Sequence, residues 1–198
     1  MTKQLNETIG YYGGSFDMPT LGHTRMADNF LKSGLLDSLI VSPAGKHAHG
    51  KNYGVSDNHR IKMVQMMVSD LQRRWGKDKV SLSLREVQST NVSYTYLALS
   101  ELGESYAGAQ IALLVGQDCL DNFHLWNNYQ EILNQFRVLV HPRIGSNSRP
   151  LQGMTMIKAE NVNGASGVVK QRLVNGQEVA TWLLPEIHDY IHQNNLYI

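Results

Sequence analysis

The stretch Gly13-Gly14-Ser15-Phe16-Asp17-Met18-Pro19-Thr20-Leu21-Gly22-His23 decides how the rest of the chain is read. It joins two unlike runs. Residues 8–16 are β-branched and aromatic and enter a Gly-Gly turn, as a strand does at a tight loop. Residues 22–32 carry Met26, Phe30 and Leu31 at near-helical spacing. A strand thus passes through a glycine turn directly into a helix. Gly13 and Gly14 let the backbone approach a ligand closely. Gly22 and His23 open the helix, whose unpaired N–H groups and dipole favour an anion. Thr20 offers a hydroxyl, and His23 an imidazole N–H, to that same anion. The spacing excludes the Walker loop G-x-x-x-x-G-K-[ST] and the dinucleotide fingerprint G-x-G-x-x-G.

Outward from this junction the alternation continues. Residues 38–44 (Leu39, Ile40, Val41) read as a buried strand. Residues 56–71 start at a Ser cap and set Ile61, Val64, Met67, Val68 and Leu71 on one helical stripe. Residues 80–86 alternate like a strand, 93–102 read as a helix, 110–115 as a buried strand and 126–135 as a helix. Arg137–His141 is a strand stopped by Pro142, and 155–159 the last strand. Ser166–Val174 and Pro185–Gln193 are short terminal helices. The succession implies an α/β fold: a doubly wound, mostly parallel sheet flanked by helices, with small C-terminal helices, in one domain over 1–198. Ligands of such sheets bind at the carboxyl ends of the strands, at the switch in strand order. The informative loops are then 13–23, 43–52, 86–94, 116–126 and 141–150. Residues 143–152, rich in Gly, Ser, Asn and Pro, read as a surface loop.

Composition narrows the class. The 198 residues carry 18 Lys and Arg against 17 Asp and Glu, a net charge of +1 that supplies no global field for nucleic acid or an anionic membrane. One cysteine, Cys119, excludes an internal disulfide and a multi-cysteine zinc site. His47-x-His49 lacks a third ligand, so no metal site of the chain's own is expected. The N-terminal residues lack an apolar core of a signal peptide, and the longest aliphatic run, residues 111–115, is far too short to span a membrane. A cytoplasmic protein is expected, and association with further copies of itself stays open.

Gly-Gly-Ser-Phe-Asp followed by Thr-x-Gly-His resembles the signature of the nucleotidyltransferase superfamily with the (T/H)xGH motif. The resemblance extends through Ser42-Pro43-Ala44-Gly45, His49-Gly50-Lys51, Asp57-Asn58-His59-Arg60, Ser93-Tyr94-Thr95, Val115-Gly116-Gln117-Asp118, Phe123-x-x-Trp126 and Leu183-Leu184-Pro185 to Asn195-Leu196-Tyr197. In that order the segments are similar to the bacterial nicotinate-nucleotide adenylyltransferase family. It implies a Rossmann-like fold and adenylyl transfer from ATP, with Mg²⁺, to nicotinate or nicotinamide mononucleotide, giving deamido-NAD or NAD and pyrophosphate.

The resemblance also implies roles. His23, Thr20 and Lys51 would act on the phosphates. Gly13, Gly14, Ser15, Phe16, Gly22, Lys46, Gly116, Asp118, Ser166 and Lys170 would bind the nucleotide. Tyr94, Thr95 and Trp126 would meet the pyridine nucleotide, with Trp126 stacked on its ring. The chain departs from the family twice. The first loop usually reads GGSFDPxHxGH, whereas Met18 and Thr20 stand here for Pro and His. The C-terminal motif ISSTxIR is replaced by Gly164-Ala165-Ser166-Gly167-Val168-Val169-Lys170, so Lys170 takes the Arg place without its bidentate fork. The altered motif keeps two alternatives in view: another phosphate-bearing acceptor, or nucleotide binding without catalysis.

Overall fold

The computed structural model describes residues 7–47, 53–160, 162 and 166–197. Its elements, in chain order, are β1 (Thr8–Gly14), α1 (Leu21–Lys32), β2 (Ser38–Pro43), β3 (Lys46–His47), α2 (Asp57–Trp75), β4 (Val80–Leu82), α3 (Arg85–Gln88), β5 (Val92–Ser93) and α4 (Thr95–Ser105). There follow β6 (Gln110–Gly116), a 3-10 helix Gln117–Leu125, α5 (Tyr129–Gln135), β7 (Arg137–His141), β8 (Met154–Met156), α6 (Ser166–Val174), a 3-10 turn Ala180–Trp182 and α7 (Pro185–Gln193).

Six strands form one sheet in the order β4-β2-β1-β6-β7-β8, and every pairing in it is parallel. The chain winds from β1 outward to β4, then returns to the other side of β1 and winds outward again. The switch point therefore lies between β1 and β6. Alternation along the strands sorts two cores. Tyr12, Leu39, Val41, Ala112, Leu114 and Leu139 face the layer of α1, α2, α6 and α7. Ile9, Tyr11, Ile40, Leu113, Val115 and Val140 face α4, α5 and the 3-10 helix. Burial on both faces is why the strands read as continuous apolar runs. This is the Rossmann-like, doubly wound architecture expected.

Several boundaries differ from expectation. The strand expected over 80–86 ends at Leu82, and Arg85–Gln88 turns helical. Its ladder partner is β2, where Leu82 pairs with Val41, and two residues farther β2 reaches Pro43, which has no N–H to continue the ladder. The helix expected over 126–135 begins only at Tyr129, because its N-cap Asn128 is left-handed (φ 52°). The loop expected over 116–126 is the 3-10 helix, with Leu120 and Phe123 buried three residues apart. Ser93 belongs not to α4 but to β5, which pairs with β3 in a small parallel sheet of its own.

Candidate active site

The first loop lies at the carboxyl end of β1 and delivers the chain to α1. Thr20 is the extended N-cap of that helix, and its carbonyl accepts the N–H groups of His23 (3.0 Å) and Thr24 (3.2 Å). A capping box closes the turn, with an imidazole where Glu or Gln is usual. The Thr20 N–H donates to His23 Nδ1 at 3.0 Å, and Thr20 Oγ1 lies 2.9 Å from the same nitrogen. An Nδ1 that accepts carries no proton, so the ring proton sits on Nε2. Burial, then the charge of Arg143, pushes the ring pKa down to about 4. At neutral pH His23 is thus an uncharged N–H donor at the positive end of a helix. Phe16, buried at φ 39°, sets its ring edge against Tyr12 (5.3 Å) and His23 (5.4 Å). The space a side chain at Gly13 would take is already filled by the Tyr11 phenol, 2.8 Å from an ideal Cβ. That glycine is therefore required by packing as well as by access.

Three charged groups tie this loop to its neighbours. Arg60, fully buried in α2, donates to Ser15 O (2.6 Å) and Ala44 O (2.7 Å), pairs with Asp57 (2.7 Å) and lies 3.7 Å over the Tyr53 ring. It clamps the first loop to the second. Glu86 accepts the hydroxyls of Tyr11, Ser42 (2.8 Å) and Ser93, joining β1 and β2 to β5. An ideal Cβ at Gly45 would sit 2.0 Å from Glu86 O, so the second loop passes the start of α3 with no room for a side chain. Asp17, buried, accepts Gly54 N–H (2.8 Å), Lys170 Nζ (2.6 Å) and Tyr197 OH (2.8 Å). Burial alone would raise its carboxyl, but the bonds from Lys170, Gly54 and Tyr197 outweigh it and hold the pKa below the usual carboxylate value.

Across the switch point, Gly116 ends β6 and Asp118 lies in the first turn of the 3-10 helix, pairing with Arg143 after β7 at 3.1 Å. The Gln117 side chain accepts the Arg143 N–H (3.0 Å) and donates to Ser148 O (2.9 Å). Asp118, Arg143 and Ser148, with Asp121 and residues 144–147, wall a cavity of about 240 Å³. The stretch expected as a plain surface loop is one side of it. Cys119 beside it is half-buried, and burial with the Asp118 charge raises its thiol to about 11, which suits an inert side chain.

The expected site residues thus fall into four groups. Gly13, Gly14, Ser15, Phe16, Thr20, Gly22 and His23 form the junction of β1 and α1, with Gly116 and Asp118 beyond the neighbouring β6. Lys46 is exposed on β3, beside β5, and β5 leads to Tyr94, the N-cap of α4, and Thr95, its first residue. Trp126 follows the 3-10 helix, half-buried with its ring 5.0 Å from that of Phe123. Ser166 opens α6, one turn before Lys170, whose ammonium is paired with Asp17. Lys51, His49, Gly50, Gly164 and Ala165 lie outside the described residues.

Asp17, Arg60, Glu86, Arg143 and Tyr197 were assigned no part from sequence. Asp17, Arg60 and Tyr197 stand in motifs quoted above, but partners of each are remote in the chain. Arg143 carried no signal. Among the described residues no three His, Cys, Asp or Glu side chains converge as metal ligands, and no helix is long and apolar enough to cross a membrane.

Comparison with known proteins bears on the family and the fold. A family model described as cytidylyltransferase-like matches residues 11–170. A probable nicotinate-nucleotide adenylyltransferase of Flavobacterium johnsoniae is 27% identical over 196 residues, covering 96% of this chain and 98% of that one. The nicotinate-nucleotide adenylyltransferase of Bacillus subtilis is 25% identical over 191 residues, covering 96% and 97%. The fold is shared with Plasmodium falciparum nicotinic acid mononucleotide adenylyltransferase complexed with NaAD, at a TM-score of 0.82 and 19% identity over 97% of this chain and 98% of that one.

Proposed function

The chain belongs to the cytidylyltransferase-like family and is a nucleotidyltransferase, and on that premise we propose that it transfers the adenylyl group of ATP to nicotinate or nicotinamide mononucleotide. One observation carries the chemistry. At the switch point a neutral imidazole with its proton on Nε2 stands at the N-terminus of α1, in a loop tied to the second loop by the buried Arg60 and to α6 by the buried Asp17. That is a preorganised anion site.

The acceptor phosphate is already ionised, so no general base is required. One of its oxygens attacks the α-phosphorus of ATP in line. The new P–O bond forms as the bond to the β-phosphate oxygen breaks, and pyrophosphate leaves with that electron pair. His23 donates Nε2–H to a phosphate oxygen, while Thr20 holds the ring in the required tautomer. Ser15, Phe16, Gly22 and the amides near Gly13 and Gly14 shape the cradle, and Gly116 and Asp118 hold the nucleoside side. Lys46 and Lys51 add positive charge from the second loop, and Ser166 and Lys170 from α6. Tyr94, Thr95 and Trp126 receive the pyridine mononucleotide. The donor set is N–H and ammonium, which fits phosphates, and Mg²⁺ needs few protein ligands. The ion would ride on the nucleotide's own phosphates and neutralise the charge that develops there. The reaction belongs to NAD synthesis, and we place it in the cytoplasm.

Pyrophosphate release from ATP and Mg²⁺, run in parallel with each mononucleotide, tests the reading. Turnover with either supports it, and the ratio names the acceptor. ATP binding with silence on both would favour the alternative of a nucleotide-binding protein without transfer, for which the pairing of Lys170 with Asp17 speaks.

A further inference from the structure

The carboxylate of Asp17 is shared in an uneven way. Oδ2 takes the Lys170 ammonium at 2.6 Å and the Gly54 N–H at 2.8 Å, while Oδ1 takes the Tyr197 hydroxyl at 2.8 Å. The Tyr197 ring lies against Gly54, where an added Cβ would meet Cε1 at 2.9 Å, and the Lys170 ammonium stands 5.3 Å from its centroid. One buried carboxylate therefore joins the phosphate loop, the segment before α2, helix α6 and the C-terminal turn. The donors are separated from Asp17 by 37, 153 and 180 positions. Asp17 itself is 5% exposed, whereas the Lys170 side chain is 29% exposed.

A buried carboxylate with a single cationic partner cannot give that partner up without being left uncompensated. Asp17 has two further donors, both uncharged and both independent of Lys170. We propose that Tyr197 is a positioning residue of the nucleotide site: with the Gly54 N–H it keeps Asp17 satisfied, so that the Lys170 ammonium transfers from the carboxylate to the triphosphate when ATP binds. The inference rests on the adenylyl-transfer reading above for the identity of the phosphate ligand.

Two properties of the cluster support it. Burial, and then the hydrogen bond to Asp17, raise the Tyr197 phenol, so its hydroxyl keeps its proton and remains a donor throughout the neutral range. A hydrogen bond to a carboxylate also strengthens when a competing cation departs. The Tyr197 bond is therefore worth more in the released state than in the parked one. Removing it penalises release, not the resting pair.

A double-mutant cycle read by calorimetric ATP binding, on the full chain without acceptor, tests this. The variants are Tyr197→Phe, which deletes one hydroxyl, Lys170→Gln, which keeps an N–H toward Asp17 and removes the charge, and the double variant. Thermal melts check that each is folded. Tyr197→Phe should weaken ATP binding about tenfold in the wild-type background, the scale of one hydrogen bond to a charged group. In the Lys170→Gln background the same change should alter ATP binding less than about twofold, since no ammonium remains to be released. Steady-state turnover should show the loss in the KM for ATP, with the acceptor KM little moved. An equal loss in both backgrounds would make Tyr197 a purely structural anchor, and no loss in either would remove it from the site; each overturns the inference. Wild-type protein that binds ATP but turns over neither mononucleotide would overturn the acceptor assignment while leaving this cycle readable. Wild-type protein that does not bind ATP would overturn both.

Discussion

His23→Gln separates two jobs that one imidazole performs. The ring closes the cap of α1 through Nδ1 and keeps its proton on Nε2. Gln at the third helical position is a standard capping-box residue, so its carbonyl can take the Thr20 N–H in place of Nδ1. Stability at pH 7 should then change by less than about 1 kcal/mol. Turnover should fall by roughly 10²- to 10³-fold, the scale for removing one donor aimed at developing charge. Acid should reveal the ring. Its pKa is about 4 in the fold against an ordinary 6.5. Between those values the unfolded ring binds a proton that the folded ring refuses, so the unfolded state gains and stability falls as pH drops from 6.5 toward 4. At pH 4.5 this amounts to about 2.5 kcal/mol for a sealed ring, and nearer 2 kcal/mol given that the residue is half-buried. The glutamine variant lacks this loss and shares every other titration. Urea melts of both proteins at pH 7 and pH 4.5 should show the variant overtaking the wild type by about 2 kcal/mol. Parallel losses, within about 0.5 kcal/mol, would mean that the folded ring protonates freely and is not held as a neutral donor.

The clamp between the two loops should fail measurably. Arg60→Met removes the donors to Ser15 O and Ala44 O and the pair with Asp57, and urea melts should record a loss of about 3–5 kcal/mol; a loss below about 1 kcal/mol would show that the guanidinium is not a clamp. Gly45→Ala sets a Cβ 2.0 Å from Glu86 O, so the second loop must shift. It should destabilise by about 1–3 kcal/mol and raise the acceptor KM more than that for ATP, whereas wild-type melts and kinetics would contradict the close approach. Cys119, with its thiol near 11 against 9.0, should alkylate with iodoacetamide at pH 8 about a hundredfold more slowly than a free thiol. Labelling of native protein at the free rate would refute its burial.

The order of strands and helices was legible because its signals are local. A glycine turn and an apolar stripe follow one another closely over residues 13–31, and strands buried on both faces leave unbroken runs such as residues 111–115. What escaped was non-local or too short to leave a period. Two-residue strands β3 and β5 carry no alternation to read, yet their pairing brings Lys46 beside the start of α4. The 3-10 helix after β6 spaces its buried residues by three, which neither the helical nor the strand template matches. The polar supports of the site are the clearest case. Asp17 and Glu86 are ordinary acids in sequence, and their meaning comes from donors on elements far away in the chain.

That distribution bears on the exchanged cation of α6. An arginine at position 170 would offer a planar fork able to grip a carboxylate or phosphate at two points and slow to be shared between them. Lysine offers a point charge on a flexible stem, and its attraction to Asp17 Oδ2 is bidentate to nothing. The same carboxylate gathers neutral donors from the C-terminal turn and from the segment preceding α2, and these survive the departure of the ammonium. A point charge at residue 170 and a well-supplied Asp17 therefore suit one another. Under the proposed release of Lys170, each lowers the barrier to moving one positive charge between a protein anion and a ligand anion, and the departure at the C-terminal motif is read through the first loop that it faces.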